Sequence, residues 1–185
     1  MTLRFAQDNE ISYLVMTRPS EIADSFNAIV PPPNQATFLN RCEYDTFKIK
    51  LGSATDKLVT ISTSSATYCQ GASHGYEYEL GNTIVMQPKP HLIVAEDLFL
   101  PSAPWQEQLA EWCVHNVKAE RELDAEQEAE VRKAAVEPQN WVVTPETLNI
   151  NLGYLDGTAF PMVDADVAWK HLDGLLIADL PFTPQ

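Results

Sequence analysis

Thr60 to Leu80 reads TISTSSATYCQGASHGYEYEL, and the way this stretch folds decides how its neighbours can fold. It opens as a run of β-branched and small residues and closes as the strict alternation Tyr76-Glu77-Tyr78-Glu79-Leu80. Between the two, Gly71 and Gly75 bracket Ala72, Ser73 and His74. Two strands flanking a glycine-bounded loop satisfy that pattern. Small residues in such a loop let the backbone turn sharply and let another surface come close.

Working outward, Phe47, Ile49 and Leu51 alternate with Lys48 and Lys50, which predicts a strand with one buried and one wet face. Gly52 to Lys57 then turns the chain, and Val59 and Ile61 begin the strand that enters the loop. Beyond it, Gly81-Asn82 is a turn signal, followed by Thr83 to Met86 and, past Pro88 and Pro90, by His91 to Ala95; Glu96 to Phe99 closes the sheet. This is a meander of antiparallel strands joined by short turns.

Upstream, Leu3 and Phe5, then Ile11, Tyr13 and Val15, predict two short strands. Ser20 precedes Ile22, Phe26, Ile29 and Val30, one face of a helix that Pro31-Pro32-Pro33 ends. Downstream, Trp105, Leu109, Trp112, Cys113 and Val117 share a helical face, and Glu120 to Val136 continues as a solvated helix with acid first and base last, which suits the helix dipole. Trp141 to Val143 and Leu148, Ile150 and Leu152 predict two strands around Thr144-Pro145-Glu146. A loop from Gly153 to Thr158 follows, then a last amphipathic helix carrying Val167, Ala168, Leu172 and Leu175, and a Pro-rich tail from Asp179 that frays. The fold class expected is α+β, an antiparallel sheet meander backed by helices, with two small subdomains, 1–90 and 91–185, packed as one unit.

A chain of 185 residues suffices for one good core or two small ones on a shared sheet. Against 26 Asp and Glu stand 12 Lys and Arg, a net charge of −14. That field repels phosphate backbones and anionic lipid, so nucleic acid and membrane surfaces are poor partners, whereas a basic protein is attracted. No segment approaches the roughly 18 apolar residues of a membrane span. Of three cysteines, Cys42 opens a strand, Cys69 sits at the loop, and Cys113 lies on an apolar helical face, which predicts a Cys42–Cys69 disulfide and one buried thiol. Zinc is the competing reading, and it lacks any C-x2-C spacing.

No catalytic motif accompanies these features. His74, His91, His115 and His171 lack the spacing of a helical metal site, and there is no G-x-S-x-G, P-loop or dinucleotide glycine fingerprint. The expectation is therefore a protein that is not an enzyme and takes no metal or cofactor. Tyr68, Tyr76, Trp141 and Tyr154 offer sugar-stacking faces if the chain is instead a peptidoglycan- or carbohydrate-binding module, with burial in the core as the other reading of all four.

The run Tyr68-Cys69-Gln70-Gly71-Ala72-Ser73-His74-Gly75, a Tyr-rich strand, Glu96-Asp97-Leu98-Phe99 before Trp105 and a helix, and then Trp141 to Leu152 resemble, in that order, the RsiV-like lysozyme-binding domain. That family is typified by the extracytoplasmic part of an anti-sigma factor that senses lysozyme by binding it. The match falls on 91–185 as the RsiV-like subdomain, with 1–90 resembling the companion domain found ahead of it and including the central strand-loop-strand. The chain departs from the family at the loop, where Ser73 stands between Ala72 and His74, and at the shortened segment Tyr154-Leu155-Asp156-Gly157.

The resemblance implies a binding protein that inhibits a lysozyme-type peptidoglycan hydrolase, as a periplasmic immunity protein or inhibitor, or an envelope sensor domain. It implies an extracytoplasmic location, reached by a leader removed ahead of residue 1. Loops held by a rigid sheet commonly carry recognition, which makes Ser73, His74, Tyr154 and Asp156 the candidate contacts for the hydrolase.

Overall fold

The computed structural model describes residues 2–5, 9–30, 44–68, 71, 75–153 and 163–183. The fold is α+β, with antiparallel sheet backed by helices, as the sequence pattern predicts. Six strands, in the order β1 (Thr2–Phe5), β2 (Asn9–Ser12), β3 (Tyr44–Ala54), β4 (Leu58–Tyr68), β5 (Tyr76–Val85) and β6 (His91–Leu92), form one sheet. All pairs are antiparallel except β2 with β3, which run parallel.

The central strands β3, β4 and β5 are longer than their sequence punctuation suggests, because two glycines read as turns sit inside strands. Gly52 marks a bulge in β3: a Cβ there would stand 2.7 Å from Thr60 Oγ1, the atom that accepts from Ser53 N–H at 2.8 Å. The turn comes later, where Thr55 N–H donates to Leu58 O. Gly81 lies in register opposite Ser62, mid-strand in β5, and the predicted turn at Gly81-Asn82 does not form. A Cβ on Gly81 would meet Val142 Cγ2 at 2.2 Å, so the residue serves the close approach of another strand.

Helix α1 (Glu21–Ile29) starts at Ser20, whose side chain accepts from Ala23 N–H at 3.1 Å. It covers one face of the sheet with Phe26 and Val30, above Ile49, Val59, Ile61 and Ile84. Ile22 points outward at 48% exposure, and Ala23 takes the buried position the sequence reading gave it. Leu51, also expected inside, is 53% exposed.

The opposite face contributes Leu58 and Val85 to a second, larger core. Helix α2 (Trp105–Glu120) buries Leu109, Ala110, Cys113, Val114 and Val117, spacings that share one helical face. Helix α3 (Ala125–Ala135) is a separate element rather than a continuation: Asp124 caps it by accepting from Glu126 and Gln127 N–H, and Gln127 returns a bond to Asp124 N–H. It is not solvated all round, because Val131 and Ala135 are buried. Outside, Arg132 bridges Glu128 and Glu111, and Lys118 pairs with Glu128, tying α3 to α2.

Strands β7 (Trp141–Val143), β8 (Thr147–Gly153) and β9 (Val163–Ala168) make a three-stranded antiparallel sheet. The predicted last helix is therefore overturned: Val163, Ala165 and Val167 alternate with Asp164 and Asp166, a period of two, and only a 3-10 turn at Trp169–His171 follows. The segment from Asp179 does not fray as far as it is described. Leu180 and Phe182 pack on the core, Phe182 lies 4.6 Å from Trp169, and just upstream Ile177 N–H donates to Leu98 O. Thr83, fully buried, accepts from Val143 N–H at 2.9 Å and locks the two sheets together.

Candidate functional site

The residues predicted to carry recognition, Ser73, His74, Tyr154 and Asp156, lie outside the described residues, as do Cys42 and Cys69. The strands that flank them are described, and they end on the same side of the molecule. β7 lies along β5, with Val142 at Gly81 and Val143 at Thr83. β8 runs back antiparallel to β7, which brings Asn151 to Glu79, the side-chain amide donating to the Glu79 carbonyl at a long 3.5 Å. Continuing β8 to Gly153 and tracing β5 back to Tyr76 therefore leads in one direction. The roots of the two predicted loops face each other across the seam between the sheets.

At that seam lies a cleft of about 390 Å³. One wall is the face of the large sheet, with Thr60, Ser62, Glu79 and Gly81; the other is the outer face of the small sheet, with Asn149, Asn151 and Asp164. The same alternation that buries Leu148, Ile150 and Leu152 turns Asn149 and Asn151 outward, and Asp164 and Asp166 do likewise on β9. Asn149 Nδ2 donates to Asp164 Oδ2 at 2.7 Å and to Asp166 Oδ1 at 3.2 Å, and Thr147 Oγ1 donates to Asp166 Oδ1 at 3.1 Å. These bonds fix the carboxylates in orientation without neutralising them. Reading Val167 and Ala168 as the start of a helix hides this row of acids, and the period of two from Val163 is the signal that reveals it.

The aromatic candidates separate. Tyr68 is 39% exposed at the end of β4. Trp141, in contrast, is fully buried: its Nε1–H donates to Ala135 O at 2.8 Å, and its ring meets Phe99 and Trp105 edge-on. It is a core residue and offers no sugar-stacking face. The side chain of Tyr76 and all of Tyr154 lie outside the described residues.

Among the described residues no group of three His, Cys, Asp or Glu side chains converges as a metal site. Cys113 is a free, buried thiol, as its helical surroundings predict, and burial pushes its pKa up to about 12, which leaves it unreactive. His91 is held at both ring nitrogens, Nδ1 by Lys89 O at 2.8 Å and Nε2 by Asp97 Oδ2 at 3.1 Å. Burial opposes its charging, but the bond to the Lys89 carbonyl and the bond and charge of Asp97 outweigh that and raise its pKa. His171 lies against Trp112 with ring centroids 4.0 Å apart and planes tilted by 30°, and His115 is edge-on to the same indole at 5.8 Å. No helix among the described residues is long and apolar enough to cross a membrane.

No protein-family model matches the chain, and no curated protein matches it. Among solved structures it is similar to a DUF3298 family protein from Pseudomonas aeruginosa PAO1, at 17% identity and a TM-score of 0.61 over 96% of this chain and 87% of that one. It is also similar to a member of the same family from Bacteroides fragilis NCTC 9343, at 12% identity and a TM-score of 0.53 over 73% of this chain and 55% of that one. At these identities the likeness is one of fold, the α+β arrangement of helices on antiparallel sheet.

Proposed function

We propose that this chain is a binding protein that recognises and inhibits a lysozyme-type peptidoglycan hydrolase. The observation that carries the reading is that β5 and β8, the strands leading to the two predicted recognition loops, line one cleft whose described acids, Glu79 and Asp164, carry no ion pair among the described residues. Many muramidases are basic, and an acidic rim steers such a partner into encounter. The resemblance of the central loop and its flanking segments to the RsiV-like domain supports the choice of hydrolase. Contacts from Ser73, His74, Tyr154 and Asp156 belong to the same proposal. A partner of this kind works on the cell wall, so the site of action is periplasmic or otherwise extracytoplasmic.

The test is inhibition of purified basic lysozymes clearing a suspension of cell walls, with the chain added in increasing amounts. Stoichiometric loss of activity is expected, steeper at low salt. Retention of the chain on cell walls with no hydrolase present, and no effect on any lysozyme, would replace this reading with a glycan-binding one.

A further inference from the structure

We propose that the cleft between the two sheets receives an extended segment of a basic protein, with a lysine or arginine side chain seated between Glu79 and Asp164 and the backbone running along β5. The proposal rests on the reading of the chain as a protein-binding module, and it adds the surface used and the chemistry of what that surface takes.

The first argument is electrostatic. On the helices, Glu111 and Glu128 pair with Arg132, and Glu128 also with Lys118, while Glu107, Glu120, Glu126 and Glu130 carry no ion pair among the described residues. Glu79 and Asp164 have no such cation among the described residues, and Asp164 is oriented by the Asn149 amide instead. Lys48 and Lys50 share the face of the large sheet, but they stand on β3, across β4 from β5, and neither lines the cleft. An incoming cation therefore meets in Asp164 a carboxylate already held in place, and a preorganised group loses less on binding.

The second argument is the backbone. β6 pairs with β5 only at Ile84 and Val85, so among the described residues the half from Tyr76 to Asn82 is laddered on one side, by β4. The carbonyl of Thr83 points away from β4, since it accepts from Ile93 N–H. By the two-residue period of an antiparallel strand, the peptide groups of Glu79 and Glu77 point the same way. The Glu79 carbonyl has the long bond to Asn151, which a better-placed donor displaces. At Gly81 and Asn82 the strand is already met by Val142 and Gln139, so the part that accepts a partner's strand runs from Tyr76 to Leu80, which β4 alone ladders among the described residues.

The third argument is what the lining lacks. Among the described residues, none that lines the cleft is aromatic, Lys or Arg, so none of them offers a stacking face for sugars or a seat for an anion. Its volume falls in the range of roughly 300–1,000 Å³ that binding pockets occupy.

The experiment follows the backbone amide resonances of the isotopically labelled full chain at low salt. The probes are the peptide acetyl-Val-Lys-Val-Lys-Val-amide, its glutamate counterpart and chitohexaose, each added also to a Glu79→Gln/Asp164→Asn double variant. The lysine peptide is expected to move the Glu79, Gly81, Asn149 and Asn151 resonances, with about tenfold weaker binding in the double variant, the effect of losing ~1.4 kcal/mol of charge pairing. The glutamate peptide is expected to leave them unmoved. Shifts that avoid these residues, or that persist unchanged in the double variant, overturn the proposal, and a response to chitohexaose at the same residues assigns the cleft to glycans instead. A chain that still inhibits lysozyme with the double substitution keeps its function and loses this cleft. A chain that answers the lysine peptide and inhibits no lysozyme does the reverse.

Discussion

The two faces of the three-stranded sheet are built from the same strands and do opposite work. On the inner face Trp141, Leu148, Ile150 and Val167 are almost completely buried against α2 and α3. On the outer face Asn149, Asn151, Asp164 and Asp166 form a polar row beside the cleft. Neighbours in sequence thus differ in kind: the inner residue stabilises the domain by removing apolar surface from water, while the outer one leaves stability nearly untouched and is available for recognition.

The sharpest way to break this contrast is to truncate one residue on each face. Trp141→Ala removes the ring at the centre of the Phe99, Trp105 and Trp141 cluster and its bond to Ala135, and should cost about 3–5 kcal/mol in denaturant unfolding. Asn149→Ala removes two side-chain bonds at a half-buried position and should cost about 1 kcal/mol or less. Comparable losses at the two positions would mean that the outer row is structural.

The seam between the sheets is next in size. Gly81→Ala forces a methyl onto Val142 and should destabilise by roughly 1–3 kcal/mol, with much of the loss recovered in a Gly81→Ala/Val142→Ala double mutant. An additive pair would show that close packing is not the reason for the glycine. Smaller again, Asp124→Ala removes the cap of α3 and should cost about 1 kcal/mol, measured by the same melts.

The smallest effect expected is a dependence on pH. The folded pKa of His91 is raised from its ordinary 6.5, so its contribution to stability is fully present below that value and is lost as pH rises through the folded pKa. His91→Gln should flatten the decline in unfolding free energy above pH 6.5 that wild type shows, and an unchanged pH profile would remove His91 as its source.

Much of this contrast is legible in the residues. The alternation in Trp141–Leu152, the Ser20 start of α1 and the apolar face of α2 all read correctly, because each depends on a local period or cap. What misleads is residue chemistry whose meaning is tertiary. Gly81 and Gly52 signal turns in sequence, yet one admits Val142 and the other admits Thr60. Val167 and Ala168 share a helical spacing with Leu172 and Leu175, and it is pairing with β8 that selects the competing period of two from Val163 to Ala168. The same misreading conceals Asp164 and Asp166, so the outer wall of the cleft could not be assembled from sequence, whereas the two candidate loops could be singled out by their glycines.

The most direct test of a recognition face at the sheet seam is hydrogen exchange of the chain alone and in complex with an inhibited lysozyme. The account predicts slowed exchange at the edge amides of residues 76–80, which β4 alone ladders among the described residues, and unchanged exchange across α2 and α3. Protection confined to α2 and α3, with residues 76–80 exchanging as in the free chain, would contradict it.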